Sequence, residues 1–229
     1  MRTLAIGDIH GHLRALDALL NSVGPKPDDR IVFLGDYVDK GPDVKGLLDR
    51  MVQLRERPNV VFLRGNHDEM LVHAYRNPPE FSVWECLAGE NALASYGGGD
   101  LREVIGKIPS EHWSFLEETC RDYFETPEHI FVHAGIRAHV APAEEDRERL
   151  LWTSLLTAAS HHSGRTVICG HSSQRSGHIA DLGHTICLDT GITSGGRLTC
   201  LDVETLEFWQ STATGECFSG RLLSADRHG

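Results

Sequence analysis

Short apolar runs and helical stripes alternate along the first third of the chain. Residues 2–6, 31–34 and 60–63 are rich in Val, Ile and Leu, and each run closes on Gly, or on Arg-Gly, and then on a polar cluster. Buried strands meet functional loops in this way. Between the first two runs Leu13, Leu16, Leu19, Leu20 and Val23 recur at helical spacing before a Gly24-Pro25 stop. Val44, Leu47, Leu48, Met51 and Leu54 repeat the pattern before Pro58. The pattern predicts β-α-β-α-β, a parallel sheet with right-handed helical crossovers, whose functional loops gather at the carboxyl ends of the strands.

Residues 68–121 read as a helical insert, interrupted at Tyr96-Gly97-Gly98-Gly99-Asp100. Strands are expected again at 130–132 and 166–169, separated by a charged helical stretch over 144–159. Residues 184–188, 197–203 and 206–209 read as an antiparallel hairpin series with turns at Ser194-Gly195-Gly196 and near Glu204. The expected division is a single domain over 1–218 and a loosely ordered tail over 219–229.

Acidic residues outnumber basic ones by 33 to 22, a net charge of −11. Sequence-independent binding to nucleic acid needs a basic surface, so no nucleic-acid partner is expected. Any phosphate must be held locally. Apolar runs of four or five residues fall short of the ~20 that cross a bilayer, so no membrane partner is expected either. The opening Met1-Arg2-Thr3-Leu4-Ala5-Ile6 lacks the apolar core of a signal peptide, and a cytoplasmic location is the expectation. The 6 cysteines include no C-x-x-C pair, which favours reduced thiols over a zinc knuckle.

Candidate chemistry sits in five clusters, each behind an apolar run: Gly7-Asp8-Ile9-His10-Gly11, Gly35-Asp36-Tyr37-Val38-Asp39-Lys40-Gly41, Arg64-Gly65-Asn66-His67-Asp68, His133-Ala134-Gly135 and Gly170-His171-Ser172. Asp8 and His10 are two apart on an extended segment and face the same side, while Ile9 points back to the core. Mixed donors, carboxylates from Asp8 and Asp36, imidazoles from His10, His133 and His171 and the amide oxygen of Asn66, suit manganese, iron or zinc better than calcium. Six side chains are too many for one tetrahedral site with an open position. Two divalent metal ions bridged by a carboxylate fit better, and they leave about +2 of charge to attract phosphate.

The ordered set of clusters resembles the metallophosphoesterases of the phosphoprotein phosphatase family, the bacterial and phage lambda phosphatase-like serine/threonine protein phosphatases in particular. The likeness runs from residue 3 to about 203 and includes Leu188-Asp189-Thr190-Gly191 and Gly196-Arg197-Leu198-Thr199. It implies the calcineurin-like fold, a four-layer α/β/β/α sandwich with the site on loops at one edge of the sheets. It also implies that Asp8, His10 and Asp36 hold one metal and that Asp36, Asn66, His133 and His171 hold the other, with manganese the expected metal and iron or zinc the alternatives. By the same likeness His67 is the general acid, oriented by Asp39, and Arg64 binds phosphate oxygens.

Three positions depart from the family pattern. Lys40 stands where an arginine is usual, replacing a bidentate fork with a point charge that still reaches phosphate. Ser154, in Leu151-Trp152-Thr153-Ser154, stands where a second arginine grips substrate, with Arg149 or Arg137 as candidates to compensate. Asp68 replaces a commoner Glu. The leading expectation is a phosphatase of broad specificity toward phosphoserine and phosphothreonine in proteins, acting by direct attack of a dimetal-bound hydroxide. The alternative is a hydrolase of dinucleoside tetraphosphates or other small phosphate esters, and a third reading is a non-catalytic module that docks a phosphorylated partner.

Overall fold

The structure is a computed structural model and describes residues 1–77, 90–99 and 101–223. Trp84, Cys86, Asp100 and residues 224–229 lie outside the described residues. The expected opening is observed as β1 (Thr3–Ile6), α1 (Leu13–Val23), β2 (Arg30–Phe33), α2 (Val44–Leu54) and β3 (Val60–Phe62), with β1, β2 and β3 paired in parallel. Helix α1 buries Ala15, Leu16, Leu19, Leu20 and Val23 and stops at Gly24, whose left-handed φ of 56° lets its N–H return to the Leu20 carbonyl. Helix α2 starts where the Asp43 carboxylate accepts from Gly46 N at 2.8 Å.

The insert comprises α3 (Asn66–Arg76), α4 (Glu90–Ser95), α5 (Leu101–Ile105), α6 (Ser110–Ser114) and one π-helical turn (Phe115–Thr119). Leu71, Val72, Leu93, Tyr96, Val104 and Phe115 join the core of α1 and α2, so the insert thickens that helical layer. Then follow β4 (Tyr123–Glu125), β5 (His129–Val132), α7 (Arg147–Trp152), β6 (Thr166–Cys169), β7 (Ala180–Asp181) and β8 (Thr185–Cys187). The chain continues with β9 (Leu198–Asp202), β10 (Glu207–Ser211) and β11 (Cys217–Arg221).

Two mixed sheets result, ordered β11-β10-β9-β1-β2-β3 and β4-β5-β6-β8-β7. Strand alternation explains why the runs are apolar throughout. In β1, Leu4 and Ile6 face the helices while Ala5 faces the other sheet; in β2, Ile31 and Phe33 face the helices and Val32 faces inward. Phe131, Ile168 and Ile186 close the space between the sheets from the far side. Ile130, Val132, Val167 and Cys169 point outward, against Ile136 and Leu150. Helices, sheet, sheet and, among the described residues, the short helix α7 make the expected α/β/β/α order, with a thin fourth layer.

Three local expectations change. Strand β8 belongs to the second sheet, parallel to β6 with Cys169 opposite Cys187, so the hairpin series begins only at β9. Burial of β8 on both faces needs a central place, and residues 188–197 carry the chain across to the first sheet. The 144–159 stretch is helical only over α7, flanked by 3-10 turns at Pro142–Glu144 and Leu155–Thr157. Pairing of β10 with β11 places Ser219 opposite Trp209 and Arg221 opposite Glu207, so regular structure continues past residue 218.

Candidate metal centre

All five clusters sit at strand ends, as the pattern requires. Asp8 follows β1, Asp36 follows β2 and Asn66 opens α3 just beyond β3, while His133 follows β5 and His171 follows β6. Donor atoms of Asp8, Asp36 and His133 lie within 4.8 Å of one another, and so do those of His10, Asp36 and His67. Asp36 belongs to both groups. Asn66 joins through Oδ1, 2.9 Å from His133 Nε2 and 3.0 Å from His171 Nδ1. His171 donates its backbone N–H to Asp8 at 3.1 Å.

The hydrogen-bond chemistry fits cations between these groups. His10 Nδ1 donates to the Val38 carbonyl at 2.7 Å and His133 Nδ1 to the Leu34 carbonyl at 2.8 Å. Carbonyls only accept, so each neutral ring presents a lone pair at Nε2. Those lone pairs face further acceptors: His10 Nε2 lies 3.3 Å from Asp36 Oδ2, and His133 Nε2 lies 3.5 Å from Asp36 Oδ1. Burial lowers the His133 pKa and pushes His171 down to about 4, so both of these rings favour the neutral form near neutrality. Burial, together with the charges of Asp189 and Asp36, pushes the Asp8 carboxyl well up. Buried acceptors aimed at one another are what divalent ions bind. The ammonium of Lys40, 3.2 Å from His10 Nε2, already places one cation at this edge.

Backbone strain is concentrated here. His10, Asp36, Asp39, Lys40 and His171 have φ between 44° and 69°, and the other non-glycine residue with positive φ among those described is Leu206. Such conformations cost about 1–3 kcal/mol each and persist only where the surroundings impose them. Gly65 and Gly170 allow the close approaches: a Cβ at Gly65 would collide with Asp36 Oδ1, and one at Gly170 with Asp8 Oδ1.

Asp68 supplies much of the imposition, a role that the sequence pattern does not reveal. Its carboxylate accepts from Asp36 N at 2.9 Å, Tyr37 N at 3.0 Å, Val38 N at 3.3 Å and Gly65 N at 2.8 Å. Burial and the Asp36 charge push this carboxyl up to about 7, while the N–H donors pull it back. The readable signal is its place in the first turn of α3, where an acid closes a capping box.

Other candidate residues divide. His67 Nδ1 lies 2.7 Å from Asp39 Oδ2, and the ring meets that of His10 edge-on at 4.9 Å. Arg64 is turned elsewhere: its guanidinium donates to Glu69 Oε2 at 3.0 Å and to the carbonyls of Glu117 and Cys120, so a phosphate role requires it to leave Glu69. A buried charge takes the nearest acid and carbonyls, which the sequence does not show. Ser154 caps a 3-10 turn by accepting from Leu156 N at 3.3 Å. Arg137 is occupied by Glu145 and Asp146 and does not compensate. Asp189 is buried close to Asp8, whereas His184 pairs with Thr185 Oγ1 at 2.9 Å.

The family model for calcineurin-like phosphoesterases matches residues 1–195. The chain belongs to the calcineurin-like phosphoesterase family. It is 24% identical over 233 residues to an asymmetrical bis(5'-nucleosyl)-tetraphosphatase of Oceanobacillus iheyensis, covering 91% of each chain. It is 28% identical over 207 residues to serine/threonine-protein phosphatase 1 of Salmonella typhimurium, covering 87% of this chain and 90% of that one. Among solved structures, one carrying the provisional name diadenosine tetraphosphatase superposes with a TM-score of 0.65 at 21% identity, over 96% of this chain and 93% of that chain, and supports the fold. Calcineurin-like phosphoesterases use a dimetal centre, and the clustered Asp and His donors are where this one has candidate ligands. No helix among its described residues is long and apolar enough to cross a membrane.

Proposed function

We propose that this calcineurin-like phosphoesterase is a metal-dependent hydrolase of nucleoside polyphosphates, with dinucleoside tetraphosphates as the reference substrates. In this reading Asp8, His10 and Asp36 hold one divalent ion, and Asp36, Asn66, His133 and His171 hold the second. The observation that carries the chemistry is the position of one carboxylate, Asp36, between the two donor groups, 3.3 Å from His10 Nε2 and 3.5 Å from His133 Nε2, where it could serve both ions. Bound divalent ions, manganese, iron or zinc by donor type, supply a water of lowered pKa and neutralise phosphate charge.

The chain's own groups complete the reaction. Asp39 orients the His67 ring through Nδ1, which leaves Nε2 to hand a proton to the leaving oxygen. Lys40 offers its ammonium to phosphate from the His10 side. Arg64 joins only if substrate draws it from Glu69.

The nucleotide reading is supported by the tetraphosphatase relative, whose likeness spans 91% of both chains. It thereby moves ahead of the phosphoserine and phosphothreonine reading that the motifs alone favour. The latter stays as the second reading, supported by the Salmonella relative. After loading with manganese, kcat/KM for diadenosine tetraphosphate should exceed that for a phosphoserine peptide by at least about tenfold. The reverse preference would install the protein phosphatase. Binding of either substrate without release of product would favour the docking module.

A further inference from the structure

Beside His171 lies a groove of about 670 Å³ that the metal ligands do not use, within the ~300–1,000 Å³ usual for small-ligand sites. Glu148, Arg149, Trp152, Thr153 and Ser154 help to line it. Trp152 is 47% exposed, unusual for so large an aromatic ring, and its centroid lies 6.0 Å from that of His171 at an interplanar angle of 82°. Arg149 precedes it by three residues on α7 and so shares its face of the helix. Among the described residues the Arg149 side chain makes no hydrogen bond or ion pair, whereas Arg147 is held by Glu69 and Asp122. One guanidinium at this wall is uncommitted.

The wall is tied to the loops that carry the candidate ligands. Ala134 N donates to the Leu150 carbonyl at 2.8 Å, and Leu155 N donates to Ser172 Oγ at 2.9 Å. Thr153 packs on Gly135 so closely that a Cβ there would meet its side chain. The backbone that carries Trp152 and Arg149 is therefore tied to the loops of His133 and His171.

We propose that this groove is the nucleoside subsite: a base stacks on Trp152, and Arg149 holds a phosphate next to the one under attack. This assignment rests on the nucleotide reading above. A flat aromatic surface favours any base through its π face. A free guanidinium a helical turn away selects an anionic oxygen at a short distance from that base. Two carboxylates also line this wall: Asp146 is paired with Arg137, while Glu148 opposes extra phosphate and suits ribose hydroxyls. A phosphoserine peptide has the anion but no obligatory flat partner for Trp152.

The test is calorimetric binding of ADP and of inorganic phosphate to the metal-loaded full chain, for the wild type, Trp152→Ala, Trp152→Phe and Arg149→Ala. The ratio of ADP to phosphate affinity should fall about tenfold in both alanine variants and recover in Trp152→Phe. Equal weakening of ADP and phosphate would overturn the proposal, since the residues would then only shape the metal centre. Unchanged affinity for ADP in both alanine variants would overturn it too. Failure of the parent reading is seen separately, as wild type that does not turn over diadenosine tetraphosphate, because the ADP isotherm needs no turnover.

Discussion

Replacing Asp68 by Asn tests whether the Asp36 loop is held by one buried carboxylate. Oδ1 accepts from Tyr37 N and Val38 N, and Oδ2 from Asp36 N and Gly65 N. An asparagine keeps one acceptor oxygen and turns an NH2 group toward the other pair of N–H donors. Two charge-assisted bonds are lost and two buried donors are left facing a donor. At about 1.5–3 kcal/mol for a hydrogen bond to a charged group, with partial relaxation, the expected cost is about 3 kcal/mol. For a chain of 229 residues that corresponds to a fall in Tm of roughly 6–12 °C. Because the released backbone includes Asp36, manganese affinity should fall with stability, by about 10–100-fold. Differential scanning calorimetry and a manganese isotherm on the same sample measure both. A variant that melts within about 2 °C of the wild type and binds manganese equally well would refute the clamp.

Gly170→Ala should place a methyl group against Asp8 Oδ1 and weaken manganese binding by about 10–100-fold, and an unchanged isotherm would show that the approach is not tight. His67→Gln should lower kcat on a phosphoserine peptide, whose alkoxide leaving group needs a proton, by about 10²–10⁴-fold, with a smaller loss on para-nitrophenyl phosphate, whose leaving group needs none; equal losses would remove His67 as the acid. Asp29 is buried, accepts from Arg2 Nε at 3.1 Å and from Lys26 N at 2.9 Å, and the hydrogen bond from Arg2 holds its carboxyl well below the usual range. Its stabilisation is complete above the unfolded-state pKa of about 3.9 and is lost as pH falls toward the lower folded value. Asp29→Asn should therefore lower Tm by about 5 °C at pH 7, and the gap should close on acidification; a gap independent of pH would contradict the linkage.

The first sheet was legible because every apolar run of the opening ended in a polar cluster, and buried parallel strands have few other ways to look. The donors were legible for the same reason: Asp8, Asp36, Asn66, His133 and His171 all occupy strand ends. What stayed hidden depends on partners remote in sequence. Strand β8 resembles the start of a hairpin until its pairing with β6 is known. Strand β11 is exposed along its whole length, so no alternation marks it. Arg64 precedes the Asn66 cluster, yet Glu69 and the π-helical turn hold its guanidinium, a competition that no local pattern reports. Asp68 looks like an ordinary first-turn acid, and its grip on three residues of another loop appears only when strands β2 and β3 are side by side.

The donors come from both halves of the sandwich: Asp8, Asp36 and Asn66 extend from the first sheet, His133 and His171 from the second. An ion seated among them is a rivet through the two leaves. Loading it would make sliding of one leaf over the other cost ligand bonds, so metal occupancy would resist global unfolding by an amount that grows with the logarithm of the metal concentration relative to Kd. The candidate metal centre would thereby also be the seam along which the molecule is fastened.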